Sequence, residues 1–560
     1  MRRNAGKLPW GAGGGGVYGR PARSGSPLLL MGVVGGLVLV GAFLIFQVCS
    51  GGGCDKAYCA TDQDIAPPEG YDRISKVFEY DSELPPLKDG SSLSVTLDLS
   101  ESTEDNGNLS FFRYLEETET WEPVASASVE GDSGQAEGVL PEAPALIAVL
   151  RRLSPAGQVV AYVPSGADLH KDAAGKITVL HTLDFAPAAD GTITGEATLI
   201  QGDNQFAHYP VFSASAATGG NAIVTSILAN SQSRSGHVQQ ILAKVQEANL
   251  QGIDISYFDL PADQRSSFAV FINELASELH RQERKLTVTL PAPLVGTGGV
   301  DEGAYDWTAI GAAADLVKMA PFRDQSRYRL DVPVILDHLT SVVDRQKLVM
   351  MVSPYATELS SDGSITTMSL VEAMAIATRL AIQGEELTTD SNVDVVAVDI
   401  DRNEALTGLV WDDQTATVGF TYKSVTQRTV WIENFFSVGF KLEYISQYRL
   451  GGVAIENASG DQFLGNIWTA LTPFISSGQP VLMQPNPEDL LPVWFVSDGE
   501  KEGGDRAGRD GVLKWFTPSE PGTHTVKLLL SDGVAQFESQ VSVNIQARER
   551  TPVASPTASQ

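Results

Sequence analysis

Cysteine is almost absent from this chain. Its 560 residues contain three cysteines, Cys49, Cys54 and Cys59, all of which precede residue 60. The long remainder must therefore be stable through its cores and not through disulfides. Three is an odd number, so one thiol is left over for another chain or stays reduced, and without a neighbouring histidine the spacing is a poor zinc site. A disulfide and lipid attachment at Cys49 or Cys54 both stay open, although neither flank is a good bacterial lipobox.

Basic residues are scarce. There are 39 lysines and arginines against 69 acidic residues, which gives a formal net charge of -30. Nucleic acid is therefore excluded as a partner, because phosphate binding needs a basic face. The seven histidines show no metal-ligand spacing, and neither a Gly-x-Ser-x-Gly elbow nor a glycine-rich phosphate loop occurs. No metal and no cofactor are predicted.

Long apolar runs are also lacking, with one exception over residues 28–48. This uncharged run is long enough to cross a bilayer as a helix. The five basic residues before it predict a single-pass protein of the plasma membrane with a cytoplasmic N-terminus and an extracytoplasmic bulk. The rival interpretation is a cleaved signal peptide, but the run is longer than a usual signal core and no small-x-small cleavage site follows. Residues 1–26 are predicted as a disordered cytoplasmic tail and 27–49 as the transmembrane helix.

Two predicted β-modules flank the central part of the chain. After a linker over 50–70, residues 71–150 show short alternating runs that indicate a β-sandwich. Residues 480–547 follow a proline-rich break and read as strand, Pro-Gly turn, strand, Asp-Gly turn and strand, which predicts an immunoglobulin-like or PKD-like sandwich. The final segment, 548–560, is predicted to be disordered.

Residues 157–477 alternate apolar strands with amphipathic helices, which predicts a (β/α)8 TIM-type barrel. The helices include 237–250 and 266–282, and a longer insert is expected at 356–433, with a helix over 369–384. The predicted strands are 159–165, 177–185, 208–214, 252–258, 286–292, 316–322, 348–355 and 451–457. A doubly wound open sheet has the same alternation, and periodicity alone does not separate the two folds.

The segment NLQGIDISYFDLPADQRSSFAVFINELASELHRQERKLTVTLPA (249–292) resembles the fourth strand, the following helix and the fifth strand of glycoside hydrolase family 18. The resemblance is to the chitinase-like and spore-germination branch. Residues 303–319, 409–424 and 429–455 are similar to later parts of the same barrel in the same order. The resemblance implies the fold, and it implies chitin-like or peptidoglycan glycans as ligands.

The family's catalytic motif, D-G-x-D-x-D-x-E, is degenerate here. Its final glutamate is the general acid, and its last aspartate orients the acetamide of the substrate, which is itself the nucleophile. In this chain the positions read Gln251, Asp254, Ser256 and Phe258. A phenylalanine has no proton to donate, so the resemblance implies an inactive barrel. Asp259 is the one candidate for a relocated acid, although an ideal strand would point it the other way.

Two further positions of the family's site have changed as well. Met319, Ala320, Pro321 and Phe322 stand where the family has M-T-Y-D at the end of the sixth strand. Glu456 stands where a tryptophan usually floors the sugar pocket. Three independent departures favour a non-catalytic site.

Ligand-binding candidates are the side chains expected near the carboxyl ends of the strands. An aromatic platform at the barrel mouth would stack on a sugar face. The candidates are Tyr162, Phe185, Tyr209, Asp254, Phe258, Phe322, Tyr355 and Glu456. Three functions stay open: a non-catalytic glycan-binding protein, a structural or protein-binding envelope component, and an active glycosidase that uses Asp259.

Overall fold

The computed structural model describes residues 54–548 of the chain, apart from several internal gaps. The gaps are 56, 69–70, 82–83, 85–92, 101–108, 130–133, 141, 154–155, 200–205, 384–386, 398–408, 424, 460–465, 498–501 and 507–511. Within the described residues, no helix combines the length and apolarity needed to cross a bilayer. The apolar run predicted to span the membrane, 28–48, lies outside them, as do both predicted disordered tails apart from Arg548.

The first module consists of two antiparallel sheets that share one core. Tyr58, Phe78 and Phe111 from the larger sheet pack with Val95 and Ala136 from the smaller one. The larger sheet contains Cys54–Asp55, Tyr58–Ala60, Tyr71–Arg73, Phe78–Tyr80, Leu109–Leu115, Thr120–Ser126 and Leu146–Arg152, and the smaller contains Leu93–Asp98, Ser128–Val129 and Gln135–Leu140. The strands Cys54–Asp55 and Tyr58–Ala60 lie inside the predicted linker, 50–70. This part of the chain belongs to the module, because Tyr58 is one of its core residues.

The central domain is a parallel sheet of nine described strands, of which Ala207–His208 and Val211–Ala214 together form the third barrel strand. Barrel strands 1 to 8 are Gln158–Pro164, Val179–Leu183, Ala207–Ala214 (interrupted at 209–210), Gly252–Tyr257, Lys285–Leu290, Leu316–Met319, Leu348–Val352 and Gly452–Ile455. Strand 3 pairs with strand 2 through Ala207–His208 and with strand 4 through Val211–Ala214, so the sheet returns to its start. This closure is the geometry of a TIM-type barrel and not that of an open doubly wound sheet.

Helices cover the outside of the barrel. They are α1 (Gly220–Leu228), α2 (Ser231–Glu247), α3 (Arg265–His280), α4 (Trp307–Ala313), α5 (Tyr328–Val342), α6 (Leu370–Ala377, in the insert), α7 (Phe435–Tyr448) and α8 (Trp468–Ser477). The described residues between strands 1 and 2 form only a 3-10 turn (Lys171–Ala173), and those between strands 2 and 3 form a hairpin (Ala186–Pro187 with Ile193–Thr194). The first two crossovers thus depart from a regular (β/α)8 pattern.

The periodicity of α3 shows why these helices pack as they do. Phe268, Phe271, Ile272, Leu275 and Leu279 recur at helical spacing, and all five are buried against the barrel. Short 3-10 turns at Ala216–Thr218, Ala262–Gln264 and Gln325–Arg327 precede α1, α3 and α5. A hairpin of Leu294–Gly296 and Gly299–Asp301 lies after strand 5.

The insert between strands 7 and 8 forms an antiparallel sheet of its own with α6 on one side. Its strands are Ala356–Ser360, Ile365–Met368, Val410–Asp412, Thr417–Lys423 and Gln427–Ile432. Ala373, Met374 and Ala377 of α6 pack on Val418 and Ile432 of this sheet. The helix predicted over 369–384 ends early, because residues 380–383 are a strand.

The C-terminal module is completed by residues from the insert. One of its sheets contains Val493–Ser497, Glu502–Arg506, Gly522–Ser531 and Gln536–Ile545. The other pairs Val512–Phe516 with Asn392–Ala397, which in turn pairs with Leu380–Gln383. Val393 and Val395 of the insert share a core with Trp494 and Trp515. Strand pairing therefore crosses the boundary predicted between 157–477 and 480–547, and the immunoglobulin-like or PKD-like assignment stays a prediction.

Candidate functional site in the barrel lumen

Barrel strand 4 directs alternate side chains into the barrel lumen. Gly252–Tyr257 is buried throughout, and Ile253 and Ile255 belong to the core between the strands and the outer helices. Because successive side chains alternate across a strand, Asp254 and Ser256 face the lumen. Val211, the register partner of Asp254, belongs to the separate apolar cluster inside the barrel. The first residue of the strand is a glycine, Gly252, because a Cβ atom there would lie 2.8 Å from the Tyr209 ring.

Asp254 is fully buried, and its carboxylate accepts hydrogen bonds from four hydroxyl groups. Thr287 donates to Oδ1 at 2.8 Å. Ser256, Thr289 and Tyr162 donate to Oδ2 at 2.7, 2.8 and 3.2 Å. Every one of these donors lies on strand 1, 4 or 5, so the barrel itself fixes the carboxylate.

A fifth partner of Asp254 is the ammonium group of Lys318. Lys318 Nζ lies 2.9 Å from Asp254 Oδ1, and neither side chain has any exposed surface. Burial by itself raises the pKa of Asp254, but the charge of Lys318 and the Ser256 hydrogen bond outweigh burial and hold that pKa below its ordinary value. Burial lowers the pKa of Lys318, against the opposing pull of Asp254. Asp254 is therefore an ionised carboxylate with no proton to give.

His181 lies beside this pair in its neutral form. Its ring stands 4.6 Å from that of Tyr162, and Nδ1 is 2.7 Å from the carbonyl oxygen of Tyr209. A carbonyl only accepts, so the proton sits on Nδ1. Burial first, and then the charge of Lys318, lower the pKa of His181 to about 3. The imidazole therefore stays neutral at any ordinary pH.

The carboxyl end of strand 4 carries Phe258 and Asp259. Phe258 is buried, with 8% of its surface exposed, and its amide donates to the carbonyl of Ala214 at 2.7 Å. Asp259 is exposed and has a left-handed backbone (φ 57°). Its Oδ2 accepts from the Ala216 amide at 2.9 Å, so it caps the turn before α1. The bend thus turns Asp259 toward the loop after strand 3.

An arginine–carboxylate pair spans the mouth of the barrel between strands 6 and 8. Glu456, which is 1% exposed, accepts hydrogen bonds from both terminal nitrogens of Arg323, and the bond to Oε2 is 3.1 Å long. Arg323 also donates to Ser353 Oγ at 3.3 Å. Beside it, Asn457 donates to the Tyr355 hydroxyl at 2.6 Å. Glu456 is therefore held in a polar cluster at the position predicted to floor a sugar pocket.

The predicted aromatic platform is dispersed. Tyr162 has no exposed surface and lies inside the lumen, two residues before its strand ends. Phe185 lies beyond strand 2, which ends at Leu183. Its ring stacks on that of Phe212, with 4.6 Å between the centroids, and it belongs to the layer between the strands and the helices. Tyr209 packs near the start of strand 4, on Gly252.

The other candidates lie closer to the mouth. Phe322 is buried and packs edge-on against Tyr328. Tyr355 is half-buried beside the arginine–carboxylate pair. Gln251 is exposed in the turn before strand 4, at the opposite end of the barrel from Phe258. The structure thus groups the site candidates in two places. Those at the carboxyl end of the barrel are Phe258, Asp259, Phe322, Tyr355 and Glu456, and those in the lumen are Tyr162, Asp254 and Ser256.

Two side chains of this arrangement, Lys318 and His181, were not singled out from the sequence. Lys318 interrupts an apolar strand, and a charged residue within a buried parallel strand signals a buried partner. His181 carries the same signal in strand 2. Among the described residues, no cluster of three or more histidine, cysteine or acidic side chains is arranged to hold a metal ion.

Comparison with known proteins finds matches to the central domain. Residues 207–461 match the model of Glycosyl hydrolases family 18. The chain is 24% identical over 258 residues to human (Homo sapiens) di-N-acetylchitobiase and 23% identical over 235 residues to the Rattus norvegicus protein. These matches cover 41% and 39% of this chain but 66% and 62% of those relatives, less than two thirds of their length. A solved chitinase from Chromobacterium violaceum is similar over 57% of this chain and 98% of its own, with 20% identity and a TM-score of 0.43.

Proposed function

We propose, from the glycoside hydrolase family 18 domain that occupies residues 207–461, that this chain is a membrane-anchored extracytoplasmic protein whose barrel binds N-acetylated glycans without hydrolysing them. Chitin-like or peptidoglycan chains are the proposed ligands. The proposal rests on one observation: where the family's acid belongs, strand 4 ends in a buried phenylalanine, Phe258. Substrate-assisted hydrolysis requires a proton donor within hydrogen-bond reach of the leaving oxygen.

The remaining carboxylates near the site are already engaged. Asp254 is ionised and faces Lys318 in the closed lumen. Glu456 is paired with Arg323. Asp259 caps a turn outside the strand. The alternative of an active enzyme with a relocated acid therefore depends on Asp259, which would have to leave its bond to the Ala216 amide.

Membrane anchoring is supported by the sequence. The run over 28–48 is preceded by basic residues and followed by a strongly acidic bulk. That arrangement suits a barrel displayed outside the cell, where N-acetylated polymers are found.

A second candidate is a structural or protein-binding envelope component. Its support is the ion pair between Arg323 and Glu456 at the carboxyl end of the barrel and the burial of Phe258 and Phe322. A sugar platform needs an exposed aromatic face, and of the predicted platform Tyr355 is the half-buried member at the mouth.

Calorimetric titration of the full chain in detergent, with N-acetylglucosamine oligomers and with peptidoglycan fragments, separates the two candidates. Glycan binding predicts a saturable heat, and replacing Tyr355 with Ala should weaken affinity about five- to tenfold, as one aromatic contact of about 1 kcal/mol would. The matched control is Tyr114→Ala, a half-buried tyrosine of the first module, which should change nothing. Absence of heat with both ligands would favour the structural role.

A further inference from the structure

Cys54 and Cys59 are brought opposite each other by the first hairpin that the structure describes. Cys54–Asp55 pairs with Tyr58–Ala60 in an antiparallel register that aligns Cys54 with Cys59 and Asp55 with Tyr58. Directly opposed residues lie on the same face of a sheet. Tyr58 points into the module's core, while Cys59 is exposed on the other face. As register partners, Cys54 and Cys59 are therefore placed on the same face of the sheet.

The register fixes the kind of pair that these cysteines form. Only residues 56 and 57 connect the two strands, and the pair that flanks a two-residue connection is a hydrogen-bonded one. Since the two kinds of pair alternate, Cys54 and Cys59 form a non-hydrogen-bonded pair, with about 4.5 Å between Cα atoms. That separation falls within the range of about 4.4–6.8 Å that disulfides bridge.

We propose that Cys54 and Cys59 form a disulfide that closes this hairpin. The two thiols lose two protons and two electrons to a disulfide oxidant, which is reduced to two thiols as the sulfur–sulfur bond forms. The Cys54–Asp55 strand is two residues long and pairs with no described strand other than Tyr58–Ala60, so a covalent link is what keeps so short an edge strand in place. Cys49 is then the odd thiol, and Cys54 carries no lipid. Persistence of the bond in the cell rests on the proposed extracytoplasmic location.

The test is two-step thiol labelling of the full chain. Thiols are blocked with iodoacetamide under denaturing conditions, disulfides are reduced, and the released thiols are labelled with N-ethylmaleimide. Trypsin cleaves after Lys56, between the two cysteines, and after Arg73, so the peptide 57–73 reports on Cys59 alone. We expect the second label on Cys59 in the wild type and in Cys49→Ser, and the first label in Cys54→Ser. The intact oxidised chain should be lighter than the reduced chain by two hydrogen atoms.

Two results would overturn the disulfide. One is Cys59 that stays oxidised in Cys54→Ser but is reduced in Cys49→Ser, which would assign the partner to Cys49. The other is Cys59 that keeps its thiol even after the purified chain is incubated with oxidised glutathione. If the chain is reduced in the cell but oxidised glutathione links Cys54 to Cys59, the disulfide geometry holds and the extracytoplasmic location fails.

Discussion

The ion pair inside the barrel and the ion pair between Arg323 and Glu456 at its mouth differ in their access to water. Asp254 and Lys318 are both fully enclosed in the lumen, whereas Arg323 at the mouth keeps 20% of its side chain exposed beside the buried Glu456. A charge that is wholly enclosed depends on its partner, because water does not replace it. The lumen pair is therefore a fixed part of the barrel, whereas the mouth pair is in contact with solvent through Arg323.

The largest expected effect comes from breaking the lumen pair. Replacing Lys318 with Met leaves Asp254 buried without its counter-charge, so the free energy of unfolding should fall by about 3–5 kcal/mol. The double variant Asp254→Asn with Lys318→Met removes both charges and should recover more than half of that loss. Urea unfolding measures both, and purely additive losses would contradict the coupling.

The pH dependence of stability gives a second test of the lumen, through the protonation of His181. Its pKa is about 3 in the folded chain and about 6.5 when unfolded, so between these values the unfolded state binds the extra proton. Stability is therefore full above about pH 6.5 and declines as the pH falls towards 3, by up to about 1.4 kcal/mol per unit. His181→Asn should remove this share of the slope. His237, whose pKa burial lowers to about 4, provides the comparison, and a slope unchanged in His181→Asn would show that the lumen does not set it.

At the mouth, a smaller loss is expected. Arg323→Met leaves Glu456 unpaired where water can enter, so the free energy of unfolding should fall by about 1–3 kcal/mol. The matched control is Arg281→Met, because Arg281 pairs with Glu278 at the surface end of α3 and keeps 68% of its side chain exposed, and surface pairs contribute less than about 1 kcal/mol. A loss as large as that of Lys318→Met would erase the distinction between the two pairs.

We expect no hydrolysis when an acidic residue is restored at position 258. Phe258→Glu, and the double variant with Ser256→Asp, should leave chitin oligomers uncleaved, because Lys318 and Glu456 still occupy the surrounding site. Chromatography of oligomers after long incubation measures this. Turnover by either variant would mean that the rest of the site is intact.

The order of the barrel strands was predictable because each strand is a local apolar run. All eight predicted strands overlap those observed, and the residues expected on the buried face of α3 are buried. The insert strands Leu380–Gln383 and Asn392–Ala397 were not assigned to the C-terminal module. Asn392–Ala397 joins both to that module by pairing with Val512–Phe516, which lies more than a hundred residues away. Local patterns do not encode such a pairing.

The residues that stand at the motif positions are known from the sequence, but the contacts that surround them were not predictable from it. The absence of an acid at Phe258 follows from the motif alone. Tyr162 and Phe185 were placed at the mouth because the strand ends were set a few residues late, and one residue of shift changes the face of a side chain. Lys318 was passed over because its partner, Asp254, is two strands away in the sheet.

Prolonged incubation of the full chain with N-acetylglucosamine oligomers, followed by mass spectrometry of the products, tests the central claim most directly. Its matched variant is Asp259→Asn. Without a proton donor at the end of strand 4, the oligomers should remain intact with the wild-type chain and with the variant alike. Shorter oligomers that form with the wild type and disappear with Asp259→Asn would contradict the account and identify Asp259 as the acid.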